Sequence, residues 1–140
     1  MKRLLLLLAI LAAGSVFAAD LPYNPSANAK ADVHKALAEA RATHKPVLLI
    51  FGANWCEDCR ALGRDLKSGK NAALIASHFE VVKISVGNFD HNLDVVNAYG
   101  NPIAKGIPAA VVVSPDNKVL YSTRAGDLAT KATAHVPEPV

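Results

Sequence analysis

Val47-Leu48-Leu49-Ile50-Phe51-Gly52-Ala53-Asn54-Trp55-Cys56-Glu57-Asp58-Cys59 is the stretch that decides the fold. Its first five residues form a continuous apolar run, short enough for a strand and rich enough in branched side chains to be buried on both faces. Gly52, Ala53 and Asn54 then interrupt the run and deliver Trp55 to Cys59 at what reads as the start of a helix, continuing through Leu62 and Leu66 to about Lys67. The cysteines therefore fall in a first helical turn. A bridge between them closes too short a loop to add much stability, since the loop-entropy gain grows with loop length. Cys-x-x-Cys is instead the spacing at which a thiolate and a resolving thiol interconvert with a disulfide; a static disulfide is the alternative reading. Zinc needs about four ligands, and His34, His44, His78, His91 and His135 have no spacing that completes a site with the cysteines. Covalent haem needs His directly after the second cysteine, and position 60 is Arg. No metal or other cofactor is expected.

On the N-terminal side of this stretch, Val33, Ala36, Leu37 and Ala40 fall at i, i+3, i+4 and i+7, which predicts an amphipathic helix from Ala31 to about His44, ended by Pro46. On the other side, Asn71 is a candidate cap for a helix with Leu74, Ile75 and Phe79 on one side. Val81 to Val86 reads as a second strand, Leu93 to Tyr99 as a helix broken by Gly100-Asn101-Pro102, and Ala109 to Val113 as a third strand. Ser114 to Asn117 is turn material leading into a fourth strand over Lys118 to Thr123, so the last two strands form a hairpin. A weak helix is expected from Leu128 to Ala134, stopped by the prolines that follow. The order α-β-α-α-β-α-β-β implies an α/β fold with helices on both faces of a small mixed sheet.

The chain has 140 residues, enough for one domain, with 15 Lys+Arg against 12 Asp+Glu and a formal charge of +3. Part of that charge is Lys2 and Arg3, which precede an apolar run from Leu4 to Ala13, the charged and apolar regions of a secretory signal. Val16-Phe17-Ala18 puts small residues where a signal peptidase reads, so residues 1–18 are expected to be removed, with cleavage after Ala19 as the alternative. Ten apolar residues fall short of the roughly 20 that span a bilayer; an uncleaved anchor is the competing reading. Residues 19–30, with Pro22, Asn24, Pro25 and Ser26, read as an irregular arm, residues 31–134 as the domain and residues 135–140 as a tail. Without Lys2 and Arg3 the balance is 13 basic to 12 acidic residues with no basic run, so no nucleic-acid partner is expected.

The strand, Trp55-Cys56-x-x-Cys59 and helix, followed about fifty residues later by Lys105-Gly106-Ile107-Pro108 opening an apolar strand, resemble thioredoxin over most of residues 31–128. Ala36 to Ala40, with Lys45-Pro46 and Trp55-Cys56, is similar to exported thioredoxin-like proteins of Gram-negative bacteria and to the periplasmic domain of the transmembrane disulfide reductase. The resemblance implies a thioredoxin-like fold in which Cys56 is the nucleophile, Cys59 the resolving thiol and Pro108 a cis-proline facing them. A helix N-terminus favours an anion at Cys56, the more exposed position, while Cys59 lies deeper in the helix. A cis-proline leaves the backbone of Ile107 available to pair with a substrate chain, and Trp55 would form an apolar lid beside the disulfide.

Glu57 and Asp58 stand where thioredoxin usually has Gly-Pro. Two carboxylates beside a sulfur disfavour its anion and make the dithiol a better reductant; the alternative is that both face water as ordinary first-turn acids. Ile50 occupies the place of the family's buried acid, so deprotonation of Cys59 lacks its usual relay, and Asp58 or water beside Lys83 would have to substitute. Arg64 replaces the family's helix-kinking proline, Asn101 to Ala104 lengthen the approach to Pro108, and the final helix is short. Ile107 before the proline matches reducing members of the family. The implied function is a periplasmic, monomeric reductant of protein disulfides, supplied with electrons by a membrane disulfide reductase. A disulfide oxidase or isomerase, or a binding protein with a static Cys56–Cys59 bridge, are the alternatives.

Overall fold

In a computed structural model, residues 21–123 together with 127 and 128 are described. The expected signal segment, nearly all of the expected last helix and the tail lie outside these residues. The element order is α1 (Ala29–Thr43), β1 (Val47–Gly52), α2 (Glu57–Lys67), α3 (Gly69–His78), β2 (Glu80–Ser85), α4 (Leu93–Ala98), β3 (Ala109–Val113) and β4 (Val119–Ser122). The strands form one sheet in the order β2-β1-β3-β4, with β1 parallel to β2 and antiparallel to β3. This is the mixed sheet with helices that the sequence pattern implies.

β1 is central because its side chains are apolar in both directions. Val47, Leu49 and Phe51 alternate onto one face and are fully buried, in register with Val113, Val111 and Ala109 of β3. Ile50 and Gly52 point to the other face, in register with Lys83 and Ser85 of β2. Val33, Ala36, Leu37 and Ala40 of α1 join the same core, as their spacing requires. The Ala109–Val113 strand has the expected bounds, and β4 is shorter than the Lys118–Thr123 expected, with a register shift at Val112/Val113.

β2 lies one residue earlier than the expected Val81–Val86, and α1 and α3 also depart from the sequence reading. The first helix starts at Ala29, two residues earlier than expected, because the Asn28 side chain accepts the Ala31 N–H at 3.0 Å. It stops because His44 takes a left-handed conformation (φ 58°) two residues before Pro46. α3 starts after Ser68; Asn71 lies inside its first turn and donates to the Asp65 carbonyl at 3.0 Å. No residue of α3 is fully buried: Ile75 and Phe79 at its end are half-buried and Leu74 is 56% exposed, so the apolar side of the helix is only partly covered.

The arm before α1 is ordered against the core. Tyr23 is buried, and its backbone exchanges two hydrogen bonds with the Asn54 side chain, N–H to Oδ1 at 3.0 Å and Nδ2 to O at 2.8 Å. Pro22 lies over α2 at Gly63, where an added Cβ would come within 2.9 Å of the Pro22 Cβ. Among the described residues no helix is long and apolar enough to cross a membrane.

Phe51 is fully buried at the centre of the sheet, so Phe51→Ala should lower the free energy of unfolding by about 3–5 kcal/mol. Urea denaturation followed by far-ultraviolet circular dichroism measures this; a loss below about 1 kcal/mol would mean that the β1 core packs differently.

Candidate active site

β1 ends at Gly52, and the chain crosses Ala53, Asn54 and Trp55 to reach α2 at Cys56. The turn is closed by the Cys56 N–H to the Ala53 carbonyl at 3.2 Å. Arg60, one turn into the helix, reaches back with Nη1 to the Asn54 carbonyl at 2.8 Å. Cys56 is the N-cap of α2: its backbone is extended (φ −77°, ψ 116°) and its Sγ accepts the Cys59 N–H at 3.2 Å. The sulfur thus occupies the place that a serine or aspartate oxygen takes in most helix caps, where free N–H groups and the helix dipole favour negative charge.

Cys56 and Cys59 form a disulfide with Cα atoms 5.2 Å apart. The two are equally buried, at 2% and 1% exposed, which corrects the expectation that Cys56 is the more open position. Their surroundings distinguish them instead. Cys56 Sγ holds the cap position and lies 3.7 Å from the Ile107 carbonyl oxygen, whereas Cys59 faces inward toward Gly52. The Ile107–Pro108 peptide is cis, and both residues are buried beside the disulfide. The preceding Asn101–Gly106 segment is wound into turns by Ala104 N–H to Asn101 O at 3.2 Å and Gly106 N–H to Ile103 O at 2.9 Å, with Ile103 buried beneath.

Glu57 and Asp58 differ sharply. Glu57 is exposed, as a first-turn acid commonly is, but Asp58 is buried at 4% exposure, so the reading in which both face water holds for Glu57 alone. Trp55 is 54% exposed, and its indole N–H donates to the Gly87 carbonyl at 2.8 Å, which turns the ring toward the loop after β2. There it meets Phe89, with ring centroids 6.0 Å apart and planes tilted by 59°. Phe89 adopts a left-handed backbone (φ 63°), uncommon for a bulky residue, and remains 38% exposed. In the same loop His91 Nδ1, at 2.7 Å, and the Asn88 N–H hold the Asp90 carboxyl below the usual carboxylate range.

Two contributors escaped the sequence reading. Phe89 sits in a Gly-Asn-Phe-Asp turn, where an aromatic among turn formers was the available signal. Tyr23 lies in the proline-containing arm, and its phenol reaches the underside of the disulfide. A Cβ on Gly52 would lie 2.6 Å from Tyr23 Cζ, closer still to the hydroxyl, and 2.9 Å from Cys59 Sγ. Glycine at position 52 is therefore the condition for ring and sulfur to share that space.

A disulfide whose first sulfur also caps a helix is suited to thiol–disulfide exchange, and fold and site together define the thioredoxin-like oxidoreductase class. Residues 28–115 match a thioredoxin-like family model, and the chain belongs to that family. A crystal structure of a disulphide isomerase from Xylella fastidiosa Temecula1 is 62% identical, with a TM-score of 0.78 over 80% of this chain and 86% of that one. The oxidised C-terminal domain of DsbD from Neisseria meningitidis shares the fold, with 20% identity and a TM-score of 0.57 over 71% of this chain and 84% of its own. Probable nucleoredoxin 3 of Oryza sativa subsp. japonica is 30% identical over 94 residues, 54% of this chain; the chain spans only 20% of that curated relative's length.

With Cys56 as the cap and Cys59 turned inward, a Cys59→Ser variant should accumulate mixed disulfides through Cys56, visible on non-reducing gels and located by mass spectrometry. Cys56→Ser should trap none. Equal trapping by the two variants would reverse the assignment of roles.

Proposed function

We propose that the protein is an exported thiol–disulfide oxidoreductase that reduces protein disulfides through Cys56 and Cys59. The Cys56 thiolate attacks one sulfur of a substrate disulfide, forming an intermolecular disulfide and releasing one substrate thiolate, which takes up a proton. Cys59 then loses its proton and attacks Cys56 Sγ, closing the internal disulfide and releasing the second substrate thiolate. Two electrons pass to the substrate, and a membrane disulfide reductase is the proposed donor that restores the dithiol. Ile107 lies beside Cys56 Sγ, Pro108 follows it through the cis peptide and Trp55 precedes Cys56 in the chain; these three would receive the substrate chain, with the Ile107 backbone as its pairing edge.

The observation that carries the direction is the acidic first turn of α2, Glu57 exposed and Asp58 buried between the two cysteines. Carboxylates there oppose the thiolate that the helix terminus favours, and a less stable thiolate shifts the couple toward the disulfide, so the dithiol gives up its electrons readily. The 62% identity to a disulphide isomerase supports a second reading. In that reading Cys56 opens a substrate disulfide and is then displaced by another thiol of the same substrate, with no net electron transfer. The two differ in their need for Cys59: reduction of insulin requires it, whereas reshuffling of a scrambled substrate proceeds in Cys59→Ser.

Equilibration with glutathione should place the couple nearer the roughly −270 mV of thioredoxin than the roughly −120 mV of a strong oxidant. Replacing Glu57-Asp58 with Pro-His should raise it by tens of millivolts, about 30 mV corresponding to 1.4 kcal/mol for two electrons. A wild-type value above about −150 mV would overturn the reductant assignment.

Export rests on the basic and apolar composition of residues 1–18. Expressed with that segment in a Gram-negative host, the protein should be recovered from the periplasm with Ala19 as its first residue. Retention in the cytoplasm at full length would refute export.

A further inference from the structure

Tyr23 is more than nine-tenths buried, its hydroxyl and Cys59 Sγ converge on the space that a side chain on Gly52 would fill, and the hydroxyl forms no hydrogen bond with any described residue while the disulfide is closed. Buried polar groups in folded proteins are nearly always partnered, so a phenol in this position calls for a state in which it is. We infer that Tyr23, from the arm that precedes the domain, is the hydrogen-bond donor to the Cys59 sulfur when that sulfur carries negative charge. The inference rests on the exchange chemistry proposed above and assigns to it a residue outside the Trp-Cys-x-x-Cys motif.

The chemistry requires such a donor at one moment in each direction. When an incoming thiolate attacks Cys56 Sγ of the closed disulfide, the S–S bond breaks and its electron pair leaves on Cys59 Sγ. When Cys59 resolves a mixed disulfide, it must first shed its proton and attack as the thiolate. In both cases the anion forms at a site 1% exposed, where water is excluded and an unpartnered charge is costly. Burial pushes the Tyr23 phenol above its ordinary range, which keeps it neutral and able to donate. The phenol keeps its proton throughout, and the proton lost from Cys59 goes to solvent or a neighbouring base.

The geometry is fixed from both sides. The two hydrogen bonds between Tyr23 and Asn54 tie the arm to the turn that precedes Cys56, so the ring is held relative to the motif itself. Ile50 offers no polar atom from β1. The charged neighbours are Asp58, next to Cys59 on α2, and Lys83 of β2, which is in register with Ile50 and so lies on the sheet face that Gly52 presents to Cys59.

The test separates this inference from the activity. In a Cys56→Ser background, the ultraviolet absorbance of the thiolate reports Cys59 alone, and Asp58 and Lys83 remain in place. Tyr23→Phe keeps the ring and removes the hydroxyl; it should reduce the Cys59 thiolate fraction about tenfold at a fixed pH, as expected for losing a hydrogen bond to a charged group. Fluorotyrosine, a stronger donor of nearly the same shape, introduced at position 23 with Tyr99 and Tyr121 changed to Phe, should raise it. With both cysteines present, Tyr23→Phe should leave the first attack by Cys56 unchanged and slow the resolution step by a similar factor, so that the mixed disulfide accumulates. A thiolate fraction that moves with neither substitution overturns the inference, whatever the activity. A wild-type protein that reduces no disulfide would refute the proposed function, and the titration would still decide the role of Tyr23.

Discussion

At Gly52 the central strand and the helix that carries both sulfurs come together with no room for a side chain between them. A Cβ there would crowd Cys59 Sγ and the Tyr23 ring at once. This close approach sets the height at which α2 begins, and hence puts Cys56 at the helix cap beside the Ile107 carbonyl. It also gives the arm its anchorage, since the space left by the missing side chain is the space that Tyr23 fills. Any larger residue would have to displace the helix, the arm or both.

The redox pair therefore sits in a more closed setting than its motif suggests. Both sulfurs are buried, whereas Trp55 and Phe89, which meet at the loop after β2, leave apolar surface exposed. The unusual backbone of Phe89 places that second aromatic there at a local conformational cost of about 1–3 kcal/mol, which the surrounding loop has to offset. It does so with Asp90, whose carboxylate accepts the Asn88 N–H and pairs with His91, and with Asn92, whose side chain donates to the Ser85 carbonyl at 2.7 Å.

What was legible in the sequence follows from the range of the forces involved. β1, β3 and the start of α2 could be read because apolar runs and turn residues specify them locally. The order of elements followed, and with it the fold class. Composition does not mark the start of α3, because Ser68 and Asn71 are both residue types that cap helices and lie three residues apart; the helix starts after Ser68 with no side-chain capping bond. The equal burial of the two cysteines and the burial of Asp58 depend on what packs over the first turn of α2, and nothing within the motif encodes it. Tyr23 was hidden for the same reason: its partners, Gly52, Asn54 and Cys59, lie about thirty residues further along the chain.

The 51-residue separation between Cys56 and Ile107 has a consequence for how the molecule comes into being. The helix with its two sulfurs is a local structure, whereas the edge beside it exists only after β3 has paired with β1 across more than half of the described chain. Contacts so distant in sequence form late, because the intervening loop must be closed before they return any stabilisation. During synthesis and folding the chain thus holds its two sulfurs in place before it holds the backbone edge that comes to lie beside them.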